Sequence, residues 1–423
     1  MSVLVKQARV IDPANSLDKV CDLLIEDGRI SKVGRFKAMN ADKVLDAEGL
    51  LALPGLIDIG AYLREPGYEF KATIMSETRA AAASGITTIC AMPEAHSAVA
   101  AAATVNFVQR SAEAAGYCNV YVIGAMTVGL EGRQLSEMAA LKNAGCVAVG
   151  DGLQPFSDTD FLRRALQYAK GLDLLVFLHP LDHALAAGGC VHEGVVSARF
   201  GLAGIPVSAE TAALGQYLAV VEDTGVRAHF CRLSCARSMA LIEQARAQGV
   251  EVTADVSAHQ LFLTENDVVG FDPNFNLLPP LREVKDRDAL RVAFSQGGVD
   301  VVCSDHQPHD VSAKLAPFPE TAPGMSSLET FLPLMLELVE QGSVAMSTAV
   351  AAMTCTPARL LQIDRGSLEV GAVADLCLVD PAQEWGLREE DLFSSGKNTP
   401  FIGRRFKGKV RWTLLGGRIV HGA

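Results

Sequence analysis

The sequence predicts an α/β protein: a (β/α)8 TIM barrel with a small β-sandwich domain built from both chain termini. Two observations predict it. Between residues 52 and 361, short β-rich runs alternate with longer helical segments eight times over, and strand-then-helix units in series build a closed parallel barrel. Outside that region, residues 1–51 and 362–423 are rich in short strands and turn glycines. The competing arrangements are an open doubly wound sheet for the centre and two unrelated β flaps for the ends.

The candidate strands are 56–62, "ITTICA" at 86–91, "NVYVIG" at 119–124, "CVAVG" at 146–150, "LLVFLH" at 174–179, "RAHFCRL" at 227–233, "VEVTADV" at 250–256 and "VDVVCS" at 299–304. Each is apolar or β-branched and is bounded by turn residues. Helical spacing of apolar residues marks the segments between them. In "DTDFLRRALQYAKG" either Asp158 or Asp160 can cap the start and Gly171 can end the helix, and "SMALIEQARAQG" and "SSLETFLPLMLELVEQG" follow the same pattern. At the two ends, "GRISKVG" and "GGRIVHG" each lead a Gly-Arg-Ile turn into a strand, which fits termini that lie close together.

Composition narrows the function. Of the 423 residues, 49% are apolar, enough for a sizeable core, and the net charge is -12. An acidic chain is poorly suited to a nonspecific nucleic-acid surface or a polybasic membrane patch. There is no apolar run of membrane-spanning length and no secretory leader pattern, so a cytoplasmic protein is expected. The ten cysteines contain no CxxC pair, so they are expected to be reduced thiols, many of them filling the core.

Active sites of such barrels form at the carboxyl ends of the strands. Those positions hold Tyr62, Glu94, Thr127, Asp151, His179, Arg232, His259 and Asp305. Residues i and i+2 of a strand share a face, so a metal-binding HxH could stand at 60 and 62, but those positions are Gly60 and Tyr62. Arg232 argues against a metal, because an always-charged guanidinium cannot ligate a cation and repels one. A contact between Arg232 and Asp305 is expected, the alternative being an Arg232 turned out to solvent. His179 and His183 have helical spacing, but Pro180 makes a shared helix face unfavourable. His306 and His309, in "SDHQPH", could bind a substrate carboxylate or shape the turn. For His229 and His259 the default is a ring nitrogen bonded to a backbone carbonyl.

At this point the chain resembles the dihydroorotase family of zinc amidohydrolases, over nearly its whole length. The landmarks are "LPGLIDI...LREPG", "GAMTVGLEG", "EGVVSARFGLAGIPVSAE", "VTADVSAHQLFLTENDV", "NLLPPLREVKDRDAL", "VDVVCSDHQPH", "KLAPFPETAPGMSSLETFLPL" and "KNTPFIGRRFKGKV", in the family's order. In active members the first reads HxHLREPG, and a metal-bound hydroxide interconverts carbamoyl aspartate and dihydroorotate.

Carried over by position, the resemblance implies degenerate metal-site positions at Gly60, Tyr62, Asp151, His179, Arg232 and Asp305. His179 and Asp305 keep the family's residue types; both histidines of the first motif and that replaced by Arg232 in "CRLSC" do not. A paired-Asp turn is reduced to "VGDG", with Asp151 alone. Arg64, Asn276 and His309 match a vestigial substrate pocket, whereas Glu94 in "AMPEA" stands where the family has Asn and is expected to repel an acidic substrate.

The implied protein is a pseudoenzyme with no metal, no cofactor and no catalytic residue beyond a vestigial Asp305. The same resemblance implies a partner, aspartate carbamoyltransferase, in a dodecamer of six chains of each kind with the barrels paired as dimers. The alternatives are a one-metal cyclic amidohydrolase, of dihydroorotase or hydantoinase type, and a non-catalytic sensor of a pyrimidine intermediate.

Overall fold

Eight parallel strands stand side by side in chain order in the computed structural model, which describes residues 2–36, 41–94 and 100–422. They are Leu56–Ala61, Ile86–Ala91, Asn119–Ala125, Ala148–Gly150, Leu175–Leu178, Ala228–Phe230, Val252–Ser257 and Val301–Cys303. The sixth and eighth are shorter than the apolar runs that encode them. Backbone geometry explains this, since Arg232 and Asp305 adopt φ of 55° and 51°, a left-handed conformation that ends an extended ladder and turns the chain across the barrel mouth.

The first and eighth strands close the barrel, which rules out the open sheet. Tyr62 N–H donates to the His306 carbonyl at 2.9 Å, and His306 N–H to the Gly60 carbonyl at 3.1 Å. Below this seam the buried Asp58 carboxylate accepts from Ser304 N–H at 2.9 Å and Gly60 N–H at 3.3 Å, and also binds the Ser304 hydroxyl. A side chain at position 60 would be crowded, because its Cβ would lie 3.0 Å from both Cβ and Sγ of Cys303.

Helices cover the outside. Thr159–Gly171 begins at Asp158, not Asp160, and the Asp158 side chain accepts from Phe161 N–H at 3.0 Å. Leu328–Glu340 contains Pro333 and buries a nearly continuous apolar face. All ten cysteines are buried and unbridged. Among the described residues, no helix is long and apolar enough to cross a membrane.

The two chain ends share one eight-stranded sheet. Its spine runs Arg418–His421, Arg405–Leu415, Leu376–Gly386, Leu51–Pro54, Ser2–Asp12, Leu17–Glu26 and Arg29–Gly34, with Lys43–Asp46 also paired to Ser2–Asp12. Leu51–Pro54 joins the halves, antiparallel to Leu376–Gly386 and parallel to Ser2–Asp12. The two Gly-Arg-Ile turns meet: a Cβ on Gly417 would lie 3.2 Å from the Gly28 Cα, and both glycines have positive φ. A second core forms beneath, where Val3, Val5, Leu23 and Ile25 pack with Leu376, Leu378 and Leu414.

Asp58 holds the seam where no regular ladder does. Replacing it by Ala leaves buried N–H donors unpaired, and we expect the unfolding free energy to fall by about 3 kcal/mol. A urea titration measures this, and a negligible loss would show that the seam does not depend on the carboxylate.

Candidate functional site

Arg232 occupies the mouth of the barrel. Its backbone N–H donates to Asp255 Oδ1 at 2.6 Å, which fixes the turn after the sixth strand, and the residue is only 2% exposed. The guanidinium points inward. Nη1 lies 3.2 Å from the Tyr62 hydroxyl and 3.4 Å from Asp305 Oδ1, and Nη2 donates to the Gly152 carbonyl at 3.1 Å. The expected Arg232–Asp305 contact is therefore present, and the solvent-facing alternative is not. Gln307 Nε2 donates to the same Asp305 oxygen at 3.0 Å. Burial nevertheless dominates at Asp305, pushing its carboxyl up to about 6 against the opposing pull of Arg232.

His179 sits beside this cluster with Nδ1 3.3 Å from the Cys231 carbonyl and no partner for Nε2. Burial, then the Arg232 charge, hold it down at about 3, so the ring is neutral. Asp151 does not turn toward Arg232. Its Oδ1 accepts from Met126 N–H at 2.8 Å and Thr127 N–H at 3.0 Å, and Oδ2 from the Thr127 hydroxyl at 2.5 Å. Asp151 therefore fastens the turn after the third strand to the end of the fourth, and burial raises it to about 6.

His229 and His259 depart from the simplest expectation. His229 bonds no carbonyl, because its ring reaches Thr253 Oγ1 at 2.7 Å and Asp255 Oδ2 at 2.9 Å. Both ring nitrogens of buried His259 lack a partner, and burial lowers it to about 3. His183 begins the short helix His183–Ala186 and is exposed. His306 shapes the structure, pairing with Glu77 at 2.6 Å and accepting from Ser327 N–H at 3.1 Å.

Beside Tyr62, a second buried arginine is held by its own chain. Glu94 accepts from the Arg64 N–H at 3.1 Å and pairs with Arg64 Nη1, and the two side chains are 8% and 7% exposed. Arg64 Nε donates to the Pro308 carbonyl at 2.9 Å, and Nη2 lies 3.4 Å from His309 Nε2, itself 3.0 Å from the Pro323 carbonyl. The structure thus brings Arg64, Glu94 and His309 together. Asn276 is committed differently, its amide donating to the Phe318 and Thr321 carbonyls at 3.1 and 2.9 Å.

A catalytic zinc takes three protein ligands and one open position. Among the described residues, the group of three donors close enough to hold an ion is His229, Cys231 and Asp255, not His179, Asp305 and Asp151. That group does not fit either: His229 and Asp255 bond each other, and burial raises the Cys231 thiol well above its ordinary value, so it keeps its proton. Sequence reasoning missed Asp255, whose signal was an acid between the apolar Ala254 and Val256 of the seventh strand. It also missed Cys303, which fills the space beside Gly60.

The model of the dihydro-orotase-like family matches residues 49–238. A "Dihydroorotase-like protein" of Pseudomonas putida is 46% identical over 423 residues, covering 100% of both chains. This chain belongs to the dihydroorotase-like family. A second protein of that description, from Pseudomonas aeruginosa, is also 46% identical, and a "Dihydroorotase" of Geobacter metallireducens is 40% identical, each over 422 residues and 100% of both chains. The L-hydantoinase (dihydropyrimidinase) of Arthrobacter aurescens shares the fold, with a TM-score of 0.88 at 24% identity over 99% of this chain and 96% of that one.

Two outcomes are expected at the mouth. Asp305→Asn strands the Arg232 charge and lowers stability by about 3 to 5 kcal/mol in denaturant melts at about pH 8; an unchanged midpoint would mean that Tyr62 and Gly152 suffice. Asp151 tests the effect of burial. Because its pKa is raised in the fold, its contribution is complete below its ordinary 3.8 and is lost as pH rises through about 6. Asp151→Asn, whose amide can bond the same partners, should gain on the wild type by up to about 3 kcal/mol between about pH 4 and about pH 7. A difference independent of pH would show that the carboxyl is not raised.

Proposed function

We propose that this chain is a non-catalytic member of its family, acting in pyrimidine biosynthesis as the structural partner of aspartate carbamoyltransferase. One observation carries the loss of catalysis: the Arg232 guanidinium stands at the barrel mouth, bound to Asp305, Tyr62 and the Gly152 carbonyl. A fixed positive charge there opposes a cation, and Gly60 and Tyr62 offer no imidazole. Zinc would supply an activated water, and no remaining group replaces it. His179 is neutral with Nδ1 directed at a carbonyl, and Asp305 is held by Arg232.

Glu94 supports the same reading. Its carboxylate already neutralises Arg64, so an acidic ligand meets a satisfied guanidinium and a repelling oxygen. The vestigial pocket of Arg64, Asn276 and His309 then has no strong claim on dihydroorotate. The barrel is retained as a rigid body, and the proposed assembly is cytoplasmic, with six chains of each protein and the barrels paired. The partnership rests on family resemblance.

Relatives named dihydroorotase at 40% identity favour a hydrolase as the second reading. Metal content and activity separate the two. Tag-free protein expressed with zinc is expected to hold essentially no zinc and to leave dihydroorotate intact; stoichiometric zinc with turnover would establish the hydrolase. For the partnership, size-exclusion chromatography of this chain mixed with the transferase is expected to show one large co-eluting species, and separate elution would refute it.

A further inference from the structure

Toward the opposite end of the barrel from Arg232, the strand register assembles a second group of side chains. His229 of the sixth strand stands directly beside Thr253 of the seventh, and Thr253 and Asp255 lie two residues apart on one face of that strand. The ring of His229 is therefore held at both nitrogens: Nδ1 lies 2.7 Å from the Thr253 hydroxyl and Nε2 2.9 Å from Asp255 Oδ2. Asp255 stays ionised, because burial raises its carboxyl but the bond and charge of His229, together with Arg232, outweigh burial and bring it below its ordinary value. A carboxylate can only accept, so Nε2 carries the ring proton, and Nδ1 of the neutral ring is left to accept from Thr253. In such an arrangement an imidazole draws off the proton of a hydroxyl while a carboxylate orients it.

His229 and Asp255 are buried, but Thr253 is partly exposed. It lines a cavity of about 320 Å3 between the strand starts and the helix Cys355–Leu361, with apolar walls from Leu175, Ala228, Val252 and Leu360. The volume admits a small organic molecule. A packing role accounts for His229 and Asp255, since their bonds satisfy polar atoms inside the barrel. It does not account for a cavity at the one member of the three that can act as a nucleophile.

We infer that Thr253 is an acylation site that takes small activated esters. Thr253 Oγ attacks the ester carbonyl, the Oγ–C bond forms, and the hydroxyl proton passes to His229 Nδ1. The C–O bond to the leaving group then breaks, and an aryloxide departs with its electron pair. The imidazolium is balanced by Asp255 until it gives the proton to water in the cavity. The products are an acyl ester of Thr253, the aryloxide and one proton. The site is independent of the barrel mouth and of any partner chain.

Incubating the full chain with p-nitrophenyl acetate, quenching in acid and mapping the peptides by mass spectrometry tests this. Thr253 is expected to gain an acetyl group at least about tenfold faster than any other threonine or serine. The same protein denatured in urea, which breaks the His229 contact without changing the sequence, should lose that advantage. Thr253→Ser should keep the labelling at that position, and His229→Gln should lower acetylation of Thr253 by about a hundredfold. If His229→Gln does not fold, the comparison of folded and denatured wild type decides alone. An unlabelled Thr253, equal labelling in the folded and denatured chains, or undiminished labelling in a folded His229→Gln would each overturn the assignment.

Discussion

The buried guanidinium of Arg232 is the constraint around which the barrel mouth is arranged. A charge this deep needs a counter-charge and acceptors for its N–H groups, and an uncompensated one would cost several kcal/mol. Asp305 supplies the counter-charge, Tyr62 a hydroxyl and Gly152 a carbonyl, so one side chain ties together the ends of the first, fourth, sixth and eighth strands. Asp255 sets the approach, because its carboxylate holds both the Arg232 N–H and the His229 ring. The result is a charge-paired cluster, with Arg232 Nε left without a partner, in the position where a barrel of this kind ordinarily places its chemistry.

The neighbouring residues interlock with that cluster. Cys303 has its Cβ and Sγ 3.0 Å from where a side chain at position 60 would begin, so a larger residue there requires Cys303 to give way. Arg64 lies over the Tyr62 ring at 5.3 Å while Glu94 holds it from the second strand's loop. Residues in such contact do not act additively. Restoring imidazoles at 60, 62 and 232 would therefore meet Cys303, Glu94 and Arg64 as well as the three replaced positions.

The terminal sheet is coupled to the barrel by different means. Arg404 bonds both oxygens of Glu337 at 2.8 Å, and the Thr413 hydroxyl donates to the Ala82 carbonyl at 2.6 Å. The first is partly buried and the second buried, and both cross the junction between sheet and barrel. The barrel mouth, by contrast, is held by Arg232, Tyr62 and Asp305.

Much of this was legible in the chain. Eight β-rich runs separated by helical periodicity specify a parallel barrel, because strand and helix periods are local properties, and the matched Gly-Arg-Ile turns at 28–30 and 417–419 announced that the ends would meet. Arg232 facing Asp305 was also readable, since both stand at strand ends that a closed barrel must aim inward. Other features required the tertiary structure: Glu94 on Arg64, Asp151 on Thr127, His259 without a partner, and Cys303 against Gly60. Each depends on which distant strands and loops become neighbours and on the direction a side chain takes once packed. Residue type and spacing determine the elements and their order; hydrogen-bond partners and empty volume exist only after the chain has closed on itself.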